Sequence, residues 1–189
     1  MKIVTVILAG GQSRRMQRDK ALLIVNGIPL IRRIYEVAIK CTPQVYVVTP
    51  WPERYQDLLP ADCRWLLEKS PHQGPLIAFQ QSLPQIDADW ILLLACDLPY
   101  LDVLLIQQWL KDLENVEERA IAYLAPQAKG WETLCGCYRT SCRQSLDGFI
   151  QAGGQSFQCW LQQEIVAPMS VIAPQIFTNW NSPEDILIE

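Results

Sequence analysis

Between Leu8 and Lys20 the chain reads Leu-Ala-Gly-Gly-Gln-Ser-Arg-Arg-Met-Gln-Arg-Asp-Lys. Gly10 and Gly11 allow the backbone to turn sharply and to come close to a ligand. A turn of this kind aims successive N–H groups at an anion. Arg14, Arg15, Arg18 and Lys20 follow within a few residues. Cationic donors beside a glycine turn suit phosphate oxygens. A solvated basic turn is the plainer alternative. The spacing is not that of a P-loop, which places glycine directly before the lysine and Ser or Thr after it. It is not a G-x-G-x-x-G loop either. Here Asp19 precedes Lys20 and Ala21 follows it.

Two carboxylates stand where further chemistry would sit. Asp97 follows the continuously apolar run Trp90–Ala95, with no Lys or Arg near it in sequence. A carboxylate at the tip of a buried strand is expensive unless it meets a cation. Mg²⁺ takes one or two carboxylates together with phosphate oxygens and water. Asp97 fits that role; a turn or cap residue is the alternative, although Asp102 is already placed to cap the following helix. Glu68 ends the short run Arg64–Leu67 and is followed, after a polar loop, by Gly74-Pro75-Leu76. Gly74 permits close backbone approach and Pro75 suits the first turn of a helix. Glu68 is either a ligand-facing group or a solvated loop carboxylate.

The elements that must hold these groups alternate in type. Ile3–Ile7, Val45–Thr49, Arg64–Leu67, Trp90–Ala95, Ala120–Ala125 and Leu134–Tyr138 read as strands, and Ile165–Ile172 as a strand or extended run. Helical spacing appears after Pro29 (Leu30, Ile31, Ile34, Tyr35, Ala38, Ile39), after Pro75 and after Asp102. A short helix is expected over Glu53–Leu59, a helix opened by a capping box at Ser141, and another short helix over Ser156–Gln163. Alternation with an internal, most apolar strand implies an α/β fold: three layers around a mostly parallel sheet. In such sheets ligands sit beyond the carboxyl ends of the strands. Gly10–Lys20, Glu68–Leu76 and Asp97 would therefore converge on one edge.

Composition narrows the classes. The chain has 189 residues, half of them hydrophobic, and fits one domain over 1–189. A net charge of −4 argues against broad nucleic-acid binding and favours a small polyanion at the local basic loop. No apolar run is long enough to span a membrane, so neither nucleic acid nor membrane is expected as a partner. The seven cysteines show no C-x-x-C spacing and read as mostly buried thiols in a reducing cytoplasm, Cys135 and Cys137 on one strand face. His72 is the sole histidine, which disfavours a zinc cluster or a Ser-His-Asp triad.

The pattern L-A-G-G-x-S-x-R-M-x-x-D-K over Leu8–Lys20 resembles the signature loop of nucleotidyltransferases. So do Gly27-x-Pro29-Leu30, Gly74-Pro75-Leu76, Cys96-Asp97-x-Pro99 and Asn179-x-Asn181-Ser182-Pro183-Glu184-Asp185. Within them the chain is most similar to the molybdenum cofactor guanylyltransferase (MobA) family, over nearly its whole length. It departs from the family at Gln17 (usually Gly), Glu68 (usually Asp), Thr133 (usually Pro) and Ser182 (usually Thr).

The resemblance implies a Rossmann-like fold of the nucleotide-diphospho-sugar transferase type. It implies transfer of GMP from GTP to molybdopterin or molybdenum cofactor, with release of pyrophosphate. Leu8, Ala9, Gly10 and Gly11 would hold the nucleotide and its phosphates. Arg15 and Lys20 would offset triphosphate charge, and Asp97 would carry Mg²⁺. Glu68 and Gly74 would border the guanine, whose N1–H and N2–H a carboxylate can accept. Asn179 and Asn181 are acceptor-site or metal-adjacent candidates, or simply turn residues. Residues 131–138 would face the acceptor. Cofactor-delivery proteins or apo-molybdoenzymes are the implied protein partners. A cytidylyltransferase, a sugar- or polyol-phosphate nucleotidyltransferase and a non-catalytic nucleotide-binding protein remain as alternatives.

Overall fold

The structure is a computed structural model that describes residues 1–11, 19–170 and 177. In chain order the strands are β1 (Ile3–Leu8), β2 (Ile24–Val25), β3 (Ile28–Pro29), β4 (Val45–Thr49), β5 (Arg64–Leu67), β6 (Trp90–Ala95), β7 (Ala122–Leu124), β8 (Pro126–Gln127), β9 (Gly130–Trp131), β10 (Cys135–Arg139) and β11 (Val166–Pro168). The helices are α1 (Leu30–Cys41), α2 (Pro75–Ser82), α3 (Val103–Asp112), α4 (Arg143–Gln151) and α5 (Phe157–Leu161). Seven strands form one sheet in the order β11-β7-β10-β6-β1-β4-β5, while β2-β3 and β8-β9 are small separate ribbons. β6, β1, β4 and β5 run parallel to one another. β10 is inserted antiparallel between β6 and β7, and β11 lies parallel to β7.

All six residues of β6 are buried, as its unbroken apolar run requires. The period of two sends them to two cores. Trp90, Leu92 and Leu94 pack with Ile31 and Ile34 of α1 and with Ile106 and Trp109 of α3. Ile91 and Leu93 pack on the other side with Leu76 and Phe79 of α2, Leu146 of α4 and Trp160 of α5. The molecule is thus a three-layer α/β/α arrangement on a mostly parallel sheet. Residues 5 to 8 of β1 pair with β4 on one side and β6 on the other. The loop after Leu8 therefore leaves from the centre of the parallel strands.

Several elements differ from the sequence expectation. The segment 53–59 is not a regular helix. A 3-10 turn spans Pro52–Arg54, after which Tyr55, 1% exposed, drops into the core. Pro29 is the N-cap of α1 rather than its first helical residue, because it pairs with Ile24 in the β2-β3 ribbon. Ile39, expected on the core face of α1, is exposed. Ser141 does not cap a helix. Thr140–Cys142 is a 3-10 turn, and the Thr140 hydroxyl donates to Ala88 O at 2.6 Å instead. Of the strand or extended run expected over 165–172, Val166–Pro168 is strand, and positions 171 and 172 lie outside the described residues.

Asp102 caps α3 as expected, its carboxylate accepting from Leu105 N at 2.8 Å. Cys63, Cys135, Cys137 and Cys142 are buried, Cys41 and Cys96 half-buried and Cys159 exposed, all of them free thiols. Among the described residues no helix is long and apolar enough to cross a membrane.

Candidate active site

The carboxyl ends of the parallel strands open into one cavity of about 440 Å³. Leu8 to Gly11 line it from β1, Glu68 from β5, and Ala95, Cys96 and Asp97 from β6. Asp19 and Lys20, His72, Gly74, Pro75 and Leu134 complete the wall that bears on the chemistry. Leu8, Ala9, Gly10, Gly11, Lys20, Glu68, Gly74 and Asp97, all placed at a site from sequence, are brought together here. Arg15, Asn179 and Asn181, together with Gln17, lie outside the described residues.

The loop after β1 is held by its neighbours. Ala9 N donates to Val48 O at 2.9 Å, which extends the parallel ladder by one residue. The Thr49 hydroxyl donates to Ala9 O at 3.0 Å and accepts from Trp51 N at 3.2 Å. The Tyr55 hydroxyl stands 2.7 Å from Asp19 Oδ2 and 3.3 Å from Ala9 O. Burial, and then the hydrogen bond to Asp19, push the Tyr55 phenol far above its usual range, so it remains a donor. Asp19 Oδ1 also accepts from Ala21 N and caps the 3-10 turn Lys20–Leu22. Both ends of the loop, Ala9 and Asp19, are thereby fixed by one tyrosine. Gly10 lies against the Glu68 carboxylate, which a Cβ there would displace, and against Pro50.

Lys20 and Asp97, 77 residues apart, form an ion pair with Nζ 3.0 Å from Oδ2. Each side chain is 17% exposed. The carboxylate that lacks a cation nearby in sequence thus finds one across the cavity. Both groups face the space where a polyanion would enter. Cys96, next to Asp97, is kept a neutral thiol by burial and by the negative charges of Asp97 and Asp19, which hold its pKa far above normal. It is a poor nucleophile in that state.

Glu68 is 6% exposed, and burial raises the pKa of its carboxyl. Its backbone N donates to Thr49 O at 3.1 Å, continuing the β4–β5 ladder and fixing where the side chain leaves the sheet. Gly74 has φ +92, a left-handed conformation that glycine adopts without strain, and it precedes Pro75 at the start of α2. In the sheet order β6, β1, β4 and β5 are consecutive neighbours. The backbones of Asp97 and Glu68 therefore leave strands separated by β1 and β4, while the Glu68 carboxylate reaches back to Gly10.

On the other flank, the segment before β10 reaches the cavity through Leu134. Leu134 O accepts from Ala95 N at 2.8 Å, and Leu134 N donates to Glu132 Oε1 at 3.2 Å. Burial raises the Glu132 carboxyl pKa; the Leu134 amide works against this, and the charge of Asp97 adds to it. The Tyr138 hydroxyl donates to Thr133 O at 2.8 Å and ties the segment to an aromatic cluster with Phe79, Phe157 and Trp160.

Sequence reasoning did not single out His72, which lines the cavity, or Thr49 and Tyr55, which hold its loop, and it took in Glu132 only as part of the segment 131–138. Asp19 carried a signal, since it stands inside the loop pattern directly before Lys20. The others are recruited by long-range contacts that leave no local spacing.

The chain is similar to known proteins over nearly its whole length. Residues 5–167 match the family described as MobA-like NTP transferase domain. A probable molybdenum cofactor guanylyltransferase of Nostoc sp. is 49% identical over 186 residues, covering 98% of this chain and 89% of that protein. A probable molybdenum cofactor guanylyltransferase of Synechococcus elongatus is 42% identical over 187 residues, covering 98% of this chain and 96% of that protein. Among solved structures, molybdopterin-guanine dinucleotide biosynthesis protein A from Archaeoglobus fulgidus superposes with a TM-score of 0.79 at 20% identity. That match covers 99% of this chain and 95% of the other, and speaks to the fold alone.

Proposed function

The chain belongs to the family of MobA-like NTP transferase domains. From that membership and the shape of the cavity we propose that it is a nucleotidyltransferase that moves GMP from GTP onto molybdopterin or molybdenum cofactor. A phosphate oxygen of the acceptor forms a bond to the α-phosphorus of GTP, the bond from that phosphorus to the bridging oxygen breaks, and pyrophosphate leaves. Chemistry of this kind rests on positioning and charge neutralisation, with no protein nucleophile. The neutral state of Cys96 is in keeping with that.

The observation that carries the reading is the layout of the cavity. A cation and a carboxylate, Lys20 and Asp97, stand paired in it, and a buried carboxylate, Glu68, leaves the end of β5 and reaches back to Gly10. The amides of the loop from Leu8 to Gly11 suit the phosphates. Lys20 holds Asp97 while the cavity is empty and gains phosphate oxygens as partners when triphosphate enters. Glu68 accepts from the guanine edge, N1–H and N2–H being donors that an ionised carboxylate satisfies. Gly74 leaves room for the base beside it.

Asp97 also suits Mg²⁺. Among the described residues no three His, Cys, Asp or Glu form a metal cage, and Mg²⁺ characteristically relies on one or two carboxylates with substrate phosphates. When bound, the ion would supply charge neutralisation on phosphate oxygens. Arg15, Asn179 and Asn181 belong to the same proposal on sequence grounds alone. The flank of Glu132, Thr133 and Leu134 is the side from which the pterin phosphate approaches. The enzyme would work in the cytoplasm, with cofactor-delivery proteins or apo-molybdoenzymes receiving the product.

The test is pyrophosphate release by purified protein with Mg²⁺ and molybdopterin, offered GTP, CTP, ATP and UTP separately. Release with GTP alone is expected. Release with CTP in its place would keep the chemistry and overturn the base assignment. No release with any of the four would remove the reading.

A further inference from the structure

The proposed chemistry leaves unused the histidine at the base end of the cavity. His72 lines the cavity beside Glu68, Gly74 and Pro75, in the connection between β5 and α2. It is exposed, and its backbone has φ +75. Among the described residues only Asn26 and His72 adopt a positive φ without being glycine. A glycine would hold such a turn with less strain, so the ring calls for an explanation in what it touches.

It touches a built column. The His72 ring packs against Trp51, with centroids 5.9 Å apart and planes tilted by 41°. The Arg54 guanidinium carbon sits over the Trp51 ring, 4.1 Å from its centroid. Arg54 in turn lies 3.8 Å from Asp19 Oδ2, the carboxylate that caps the Lys20 turn and receives Tyr55. The backbone of Trp51 is bound to the Thr49 hydroxyl, which also holds Ala9 O. The column is therefore anchored to both ends of the loop that approaches the phosphates. An aromatic ring held by a second ring and a guanidinium, with its own surface on a cavity, is a platform for a flat, electron-rich ligand. At this end of a nucleotide cavity the flat ligand is the base.

We propose that His72 stacks on the nucleobase and that Trp51 and Arg54 are the positioning residues that hold it there. The proposal rests on the nucleotidyltransferase reading and adds a division of labour to it. Stacking fixes the plane of the base and is tolerant of base identity, because every base has a π face. Choice among bases is left to hydrogen bonds at the base edge, where Glu68 stands.

The division is testable by equilibrium binding to the full chain with Mg²⁺, using GTP, ATP, CTP and inorganic tripolyphosphate as probes. His72→Asn removes the ring while keeping a residue that tolerates a left-handed turn. It should weaken all three nucleotides by a similar factor, about tenfold, and leave tripolyphosphate unchanged. Trp51→Leu should do the same to a smaller degree, about threefold, since it acts through His72. His72→Phe, which restores an aromatic face, should recover most of the nucleotide affinity.

Three results would overturn the proposal. One is unaltered nucleotide affinity in His72→Asn. Another is an equal loss for tripolyphosphate, which would make His72 a phosphate group. The third is a loss confined to GTP, which would make it an edge reader. A wild-type chain that binds tripolyphosphate but none of the nucleotides would remove the guanylyltransferase reading and the stacking role together. Normal wild-type binding with an indifferent His72→Asn would remove the stacking role alone.

Discussion

The four parallel strands and the three strands beside them use the same sheet edge in opposite ways. β1, β5 and β6 line the cavity from just beyond their carboxyl ends with the glycine loop, Glu68 and Asp97, while Thr49 at the end of β4 supports the loop through Ala9 O. β10 runs antiparallel to β6 and offers the residues that precede it, Glu132 to Leu134. β7 and β11 stand farther out in the sheet. One half is thus built by repetition of a single rule, strand then loop then ligand group. The other reaches the site through one segment tied down from both sides, by Ala95 to Leu134 and by Tyr138 to Thr133. The contrast suggests that nucleotide binding depends on the parallel half and that acceptor preference is adjustable in the other half without disturbing it.

The contrast fails first if the parallel half proves dispensable. Asp97→Asn should lower kcat by about 10²–10³-fold, in the range seen when a group that stabilises transition-state charge is removed. Its far-UV spectrum and GTP-free fold should stay native. Pyrophosphate release at the wild-type rate would take Asp97 out of the chemistry.

Lys20→Ala should reduce kcat/KM by at least about tenfold, equivalent to roughly 1.4 kcal/mol. An unchanged kcat/KM would take Lys20 out of the chemistry.

Glu68→Gln sharpens the comparison through pH. Burial raises the Glu68 pKa, so the ionised acceptor is present above that raised value and is lost as pH falls through it. GTP affinity should therefore decline on acidification earlier than an exposed glutamate would allow, and Glu68→Gln should weaken GTP about tenfold at neutral pH and flatten the profile. The same shift has a stability counterpart. The folded chain holds this proton more tightly than the unfolded one, so the contribution of Glu68 to stability is full below the unfolded pKa and is lost as pH rises through the folded pKa. The melting temperature of Glu68→Gln at neutral pH should accordingly lie above that of the wild type, and a lower value would contradict the burial argument.

The smallest effect is expected in the other half. Glu132→Gln should raise KM for the pterin acceptor by about fivefold, the scale of one ordinary hydrogen bond, with GTP affinity unaltered. A matching loss in GTP affinity would erase the distinction between the two halves.

The parallel half was also the half legible in the sequence. Trp90–Ala95 announced itself because a strand buried on both faces must be continuously apolar, and Asp97 stood at its end. Glu68 and Gly74 followed from a short strand run and a Gly-Pro helix start. The clamp on Ala9 was not legible, because it joins Thr49 and Tyr55 to a loop some 40 residues earlier through side chains with no periodic signature. Nor was the partner of Asp97, since Lys20 meets it only once β1 and β6 are neighbours. The helix expected over 53–59 gave way for a related reason. Its Tyr55 is drawn inward to hold the loop, and a tertiary contact outweighs a weak local preference. The antiparallel sense of β10 could not be read from Leu134–Tyr138, because an alternating run carries the same pattern in either direction.

The distribution of thiols offers an experimental convenience. In Cys41, Cys63, Cys96, Cys135, Cys137 and Cys142 burial raises the pKa and keeps thiolate scarce. Cys159, on α5, is the exposed one. A maleimide dye applied to the native chain at neutral pH should attach at that single position without any cysteine being mutated away. The unaltered protein then carries a fluorescence donor on a helix outside the cavity lining, against which the arrival and departure of a labelled nucleotide can be timed.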